Sequence, residues 1–116
     1  MPQRFKLIDP GFSTADTEYP AFEFRDGDLR LEFIDWQKQA VRVVFHDVAG
    51  MQWNDEAEFH GDEIRDDSSY EVYESEWLAK HIALGTFSES EGYRHFVLCF
   101  NAAGVLDVLC KRFQRA

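Results

Sequence analysis

Ala21-Phe22-Glu23-Phe24-Arg25-Asp26-Gly27-Asp28-Leu29-Arg30-Leu31-Glu32-Phe33 alternates apolar and charged residues on both sides of an Asp-Gly pair. A period of two is the signature of a strand with one face buried, and Asp-Gly between two such runs is a two-residue hairpin turn. A turn at Asp26-Gly27 sets Arg25 against Asp28, Phe24 against Leu29, Glu23 against Arg30 and Phe22 against Leu31. One face then carries Phe22, Phe24, Leu29 and Leu31, and the other carries opposite charges in register.

Working outward, Ala40 to about Val48 reads as a third strand. Opposing Glu32 to Arg42 sets Phe33 against Val41, Leu31 against Val43 and Leu29 against Phe45, which keeps the apolar face continuous and leaves 35–39 as a five-residue loop. Val44 and Val48 imply that the other face is partly covered. On the N-terminal side, Pro2, Pro10 and Pro20 mark an irregular arm over residues 1–19, with Arg4 to Ile8 as one short edge strand.

After Met51-Gln52-Trp53 comes an acidic loop, 54–69, and then a short strand from Tyr70 to Tyr73. Ser75 is a helix N-cap, Trp77, Leu78, His81, Ile82 and Leu84 recur at helical spacing, and Gly85 stops the helix, which predicts one helix over about 76–84. A last hairpin spans 93 to 113, with Asn101-Ala102-Ala103-Gly104 as a bulged loop. Phe96, Leu98, Phe100, Leu106, Val108 and Cys110 share its apolar face, and His95, Val97, Cys99, Val105, Asp107, Leu109 and Lys111 share a mixed one. The fold expected is α+β, mainly β, with five or six antiparallel strands in two packed layers. An antiparallel meander and the last hairpin form a strongly bent sheet or partly open barrel.

The 116 residues suit one domain with one core, and 45% hydrophobic content with 16% aromatic residues argues for a folded globule. The chain carries a net charge of −10 and offers no basic stripe, which argues against nucleic acid. No apolar run is long enough to cross a bilayer, and no secretion signal follows the basic N-terminus. Two cysteines, 99 and 110, are too few for a disulfide framework, and their opposite facing excludes a bond between them, so a reducing cytoplasm is expected.

The charge is concentrated. Asp55, Glu56, Glu58, Asp62, Glu63, Asp66, Asp67, Glu71, Glu74 and Glu76 face one base, Arg65, over residues 55–76. Glu74 and Glu76 suit a helix N-terminus. The remaining acids, Asp55, Glu56, Glu58, Asp62, Glu63, Asp66 and Asp67, together with Trp53, read as a contact surface for a basic protein partner, because aromatic anchors inside a charged rim are what interfaces use. Asp62, Glu63, Asp66 and Asp67 with His60 are also a candidate cation loop, although their spacing is not that of a known calcium loop. No cofactor motif occurs.

Other chemistry finds less support. His95 and Cys99 share a face but lie four residues apart on one strand, about 13 Å, too far for a base and its nucleophile. Cys99 is expected across from Asp107, which would hold it protonated. His46, His60, His81 and His95 stand on separate elements without zinc spacing. The alternative to a binding protein is a small enzyme or ligand-binding domain with a pocket between helix and sheet. A homodimer through the mixed face of the last hairpin is a further expectation.

Residues 93–110, Tyr-Arg-His-Phe-Val-Leu-Cys-Phe-Asn-Ala-Ala-Gly-Val-Leu-Asp-Val-Leu-Cys, resemble the end of a small bacterial protein family of unknown function. Residues 29–36, and Tyr70 to Tyr73 with Trp77, resemble its earlier blocks. The resemblance implies no catalytic residues. In its acidic, β-rich character the chain is similar to cytoplasmic immunity proteins that neutralise toxins.

Overall fold

The computed structural model describes residues 3–56, 60–61, 64 and 67–116. Its strands are β1 (Arg4–Ile8), β2 (Ala21–Arg25), β3 (Asp28–Ile34), β4 (Ala40–His46), β5 (Gly50–Asn54), β6 (Ser69–Tyr73), β7 (Arg94–Phe100), β8 (Gly104–Cys110) and β9 (Arg112–Arg115), with one helix, α1 (Glu76–Ala83), before β7. The fold is α+β and mainly β. The strands form two antiparallel sheets, β1-β6-β7-β8-β5 and β2-β3-β4-β9, and neither closes into a barrel.

The opening hairpin and the meander have the register their alternation demands, from Phe22 on Leu31 through Glu32 on Arg42 to Leu29 on Phe45. Asp26 and Gly27 both have positive φ, 54° and 84°, the backbone of the turn whose twist matches a hairpin. The buried face of this sheet, Leu29, Leu31, Phe33, Val41, Val43 and Phe45, meets Phe96, Leu98, Phe100, Leu106, Val108 and Cys110 of the other sheet in one core. Two sheets face to face, rather than one bent sheet or open barrel, are what two wholly apolar strand faces produce.

Nine strands form among the described residues, more than the five or six expected, and two of the short ones carry weak patterns. Gly50–Asn54 lies before the acidic loop as an edge strand on β8, with Met51 and Trp53 turned to the core. Arg112–Arg115 is not the end of the last hairpin: β8 stops at Cys110, and β9 crosses to pair with β4 in the other sheet. The third strand ends at His46, short of Val48, whose N–H instead donates to Gly27 O at 2.8 Å. Between β7 and β8 the loop is 101–103, with Phe100 opposite Gly104. A Cβ at Gly104 would collide with the Asn54 carbonyl oxygen and come within 2.8 Å of Trp53 Cζ2, so the close passage of β5 requires glycine there.

This register corrects one expectation. Cys99 lies opposite Val105, and Asp107 lies opposite Val97, so no carboxylate faces Cys99 across the ladder. Helix α1 begins at its predicted cap, with Ser75 Oγ accepting from Leu78 N–H at 3.1 Å. It ends where Gly85 N–H reaches Ile82 O and Thr86 N–H reaches His81 O, both at 3.0 Å. The outer face of the five-stranded sheet is covered by the chain itself, as a second buried cluster of Ile64, Tyr70, Val72, Val97, Cys99 and Val105 shows. The mixed hairpin face on which a homodimer was expected is therefore interior. No helix among the described residues is long and apolar enough to cross a membrane.

Candidate functional site

The acidic run leaves β5 at one edge of its sheet and re-enters at β6, and β8 and β7 lie between them. Three strand spacings separate the two ends of the loop, about 14 Å. Asp55 and Glu56 stand exposed at the β5 end and Asp67 at the β6 end. Trp53 is partly buried, with its ring against Phe22 and Phe100. Glu58, Asp62, Glu63 and Asp66 lie outside the described residues, and so does most of the candidate cation set. Among the described residues no group of three or more His, Cys, Asp or Glu side chains gathers as a metal ion requires.

The N-terminal arm runs along this same end of the sandwich, which the sequence reading did not anticipate. Thr14 Oγ1 donates to Asp67 O at 3.2 Å, Asp16 N–H donates to Asn101 Oδ1 at 2.8 Å, and Tyr19 OH donates to Asp55 Oδ1 at 3.4 Å. Asp9, Asp16 and Glu18 thereby join Asp55, Glu56 and Asp67, all of them exposed. Trp53 Nε1 donates to the same Asp55 Oδ1 at 2.8 Å, so two aromatic donors orient one carboxylate beside a tyrosine that is 65% exposed. The arm's acids gave no signal in the sequence because they are scattered among basic residues and prolines.

Two further acids of the window, Glu71 and Glu76, are used locally. Glu71 is buried and takes a bidentate bond from Arg94, Nε at 2.8 Å and Nη2 at 2.6 Å, which raises the Arg94 pKa against the opposing effect of burial. Glu76 lies in the first turn of α1, where a negative charge favours the helix dipole.

Beneath the loop and the helix sits a polar cluster that no motif announced. Asp107, fully buried on β8, accepts from His95 Nε2 at 2.7 Å on Oδ2 and from His60 Nε2 at 2.9 Å on both oxygens. Burial alone would raise its pKa, but the hydrogen bonds and charge of the two imidazoles outweigh it, and the carboxyl is held below its ordinary value. His95 Nδ1 in turn meets Ser75 Oγ at 2.7 Å. An imidazole carrying its proton on Nε2 satisfies the whole chain, because Nδ1 then accepts the Ser75 hydroxyl proton while Ser75 Oγ accepts from Leu78 N–H.

Serine, histidine and aspartate in line suggest nucleophilic catalysis, but the arrangement is a structural tie. Ser75 and His95 are each 3% exposed, the hydroxyl is engaged as donor and acceptor, and Trp77 packs edge-on over the imidazole at 5.2 Å between ring centroids. A nucleophile needs an open face toward its substrate. Neither cysteine is in a disulfide, and burial pushes the Cys110 thiol up to about 12, which makes it unreactive.

Two concavities stand out among the described residues. One of about 570 Å³ lies on the outer face of the four-stranded sheet, between the charged rows Glu23, Arg30, Glu32 and Arg42. The other, about 300 Å³, lies between the N-terminal arm and the start of β6, lined by Asp9, Ser13, Thr14, Asp67, Ser68 and Ser69 with Leu7, Ile8, Pro10 and Phe12. No protein family, curated protein or solved structure is matched by the chain.

Proposed function

We propose that the protein is a non-enzymatic binding protein that presents the acidic end of its sandwich to a basic protein partner, in the manner of an immunity protein against its toxin. The observation that carries this reading is the convergence of Asp9, Asp16 and Glu18 of the arm with Asp55, Glu56 and Asp67 of the loop on one end, around the exposed Tyr19. Tyr19 and Trp53 hold the Asp55 carboxylate and Thr14 holds the Asp67 backbone, so part of this surface is ordered before binding. A field of one sign at one end of a molecule accelerates encounter with an oppositely charged partner and selects against acidic ones. The two unbridged thiols suit a reducing cytoplasm.

The alternative, a small enzyme or ligand-binding domain with its pocket between helix and sheet, has less support. Trp77 occupies that space, its ring against His95 and within 3.1 Å of where a Cβ on Gly50 would stand.

The test is to isolate the partner from lysate, purify it, and titrate it against the parent protein and an Asp55→Asn, Glu56→Gln, Asp67→Asn variant. Losing three exposed carboxylates should weaken binding by about tenfold or more at low salt, with a shallower salt dependence. Equal affinity for parent and variant would overturn the reading.

A further inference from the structure

The four-stranded sheet ends at β2, whose outer edge has no strand neighbour among the described residues. The two-residue turn makes Arg25 and Asp28 a hydrogen-bonded pair, and such pairs alternate along an antiparallel ladder. The N–H and C=O of Glu23 therefore face β3, and those of Phe22 and Phe24 face outward. No described backbone group bonds Phe22 or Phe24 from the open side. The same edge leaves a large apolar side chain uncovered. Phe24 is 55% exposed, although Leu29 beside it on the same face is fully buried. Glu23 and Arg25 stand on the opposite face, both exposed, with Arg25 Nε 3.3 Å from Glu23 Oε1. An open, partly apolar edge is a ready template for another strand.

We infer that β2 pairs antiparallel with β2 of a second copy of this chain about a two-fold axis at Phe24, joining the two four-stranded sheets into one continuous sheet. Three registers bring outward-facing groups together. Centring on Phe22 sets Phe24 against Pro20, which has no N–H to give. Centring on Glu23 sets that carboxylate against its own copy, and like charges directly opposite are unfavourable. Centring on Phe24 sets Glu23 of each copy against Arg25 of the other, and lets the two Phe24 residues exchange N–H···O=C bonds with their rings side by side. Charge complementarity thus selects both the occupant and the register. Two other edge strands are not self-complementary, since β1 carries Arg4 and Lys6 and β9 carries Arg112 and Arg115, bases only. A two-fold contact uses the same patch on both copies, and a strand of alternating sign meets that condition. Glu23, Phe24 and Arg25 lie outside the acidic end, so this contact goes beyond the binding reading and does not depend on it.

The test is light scattering of the parent over a concentration series. The mass should rise from 13.6 kDa toward twice that value, with a midpoint on the order of 0.1 mM for so small a contact. Glu23→Arg and Arg25→Glu should each weaken self-association about tenfold or more, because each sets like charges opposite across the axis. An equimolar mixture of the two variants should dimerise, since one copy then offers two bases and the other two acids. Recovery on mixing cannot come from a misfolded variant. Phe24→Pro removes the outward N–H at a position where an edge strand tolerates proline, so it should keep the monomer's amide spectrum and abolish the dimer. A parent that stays monomeric throughout would overturn self-pairing and leave the edge to a strand of a different protein. A mixture of folded variants that stays monomeric, or a Phe24→Pro variant that dimerises as the parent does, would overturn the contact at β2.

Discussion

Asp107 is a carboxylate with no exposed surface, and its ionised form is tolerated because two imidazoles donate to it. Replacing it by Asn removes the charge that both histidines face, and a broken buried pair typically costs about 3 kcal/mol. Urea unfolding of Asp107→Asn should show a loss of that order at pH 7. The pH dependence follows from direction alone. The folded pKa lies below the unfolded one, so the group's contribution is fully present above the usual carboxylate range, about pH 4, and is lost as pH falls through the folded value. The stability difference between parent and variant should therefore narrow as pH falls below about 4, and a difference that stays constant would refute the pairing. The sequence placed Asp107 on the correct face of the last hairpin but beside the wrong neighbour. A loop length that shifts one strand by two residues keeps every side chain on its face while changing each cross-strand partner. His60 as a partner was not legible, since it reaches Asp107 from 47 residues away along a loop without pattern.

Helix α1 shows how local and long-range signals combine in one element. Its cap, its acidic first turn and its glycine stop were all readable from neighbouring residues. The second role of Ser75, holding His95 Nδ1, required the helix to be placed on the sheet. Ser75→Ala loses both the cap and this bond, so a destabilisation of about 2 kcal/mol is expected from thermal unfolding. Ser75→Asp, which keeps the capping oxygen, should recover about half of it; full recovery would show that the bond to His95 contributes nothing. The short strands were hard to see for a related reason. β5 and β9 each lie at a sheet edge with only five and four residues, too few for alternation to stand out, and it is pairing with β8 and β4 that makes them strands.

Among the described residues of the whole molecule, Asp9, Asp16, Glu18, Asp55, Glu56 and Asp67 place six exposed carboxylates toward one end, where the arm meets the two ends of the loop. Like charges held close destabilise the folded state at low salt, and screening relieves them over a Debye length of about 10 Å at 0.1 M. Raising the salt from about 10 mM to about 0.3 M should raise Tm, and the variant neutralised at Asp55, Glu56 and Asp67 should respond less. An identical salt response in both would mean that these charges do not interact in the folded protein. The hairpin register, the meander and the apolar face of the last two strands were legible in the residues themselves, because side-chain alternation and turn chemistry act between near neighbours and point to one answer. The division into two sheets, the arm laid beside the acidic loop and the buried Asp107 cluster were not. Each joins residues distant in sequence, and only the packing of one sheet against the other, with loops drawn across their ends, brings them together.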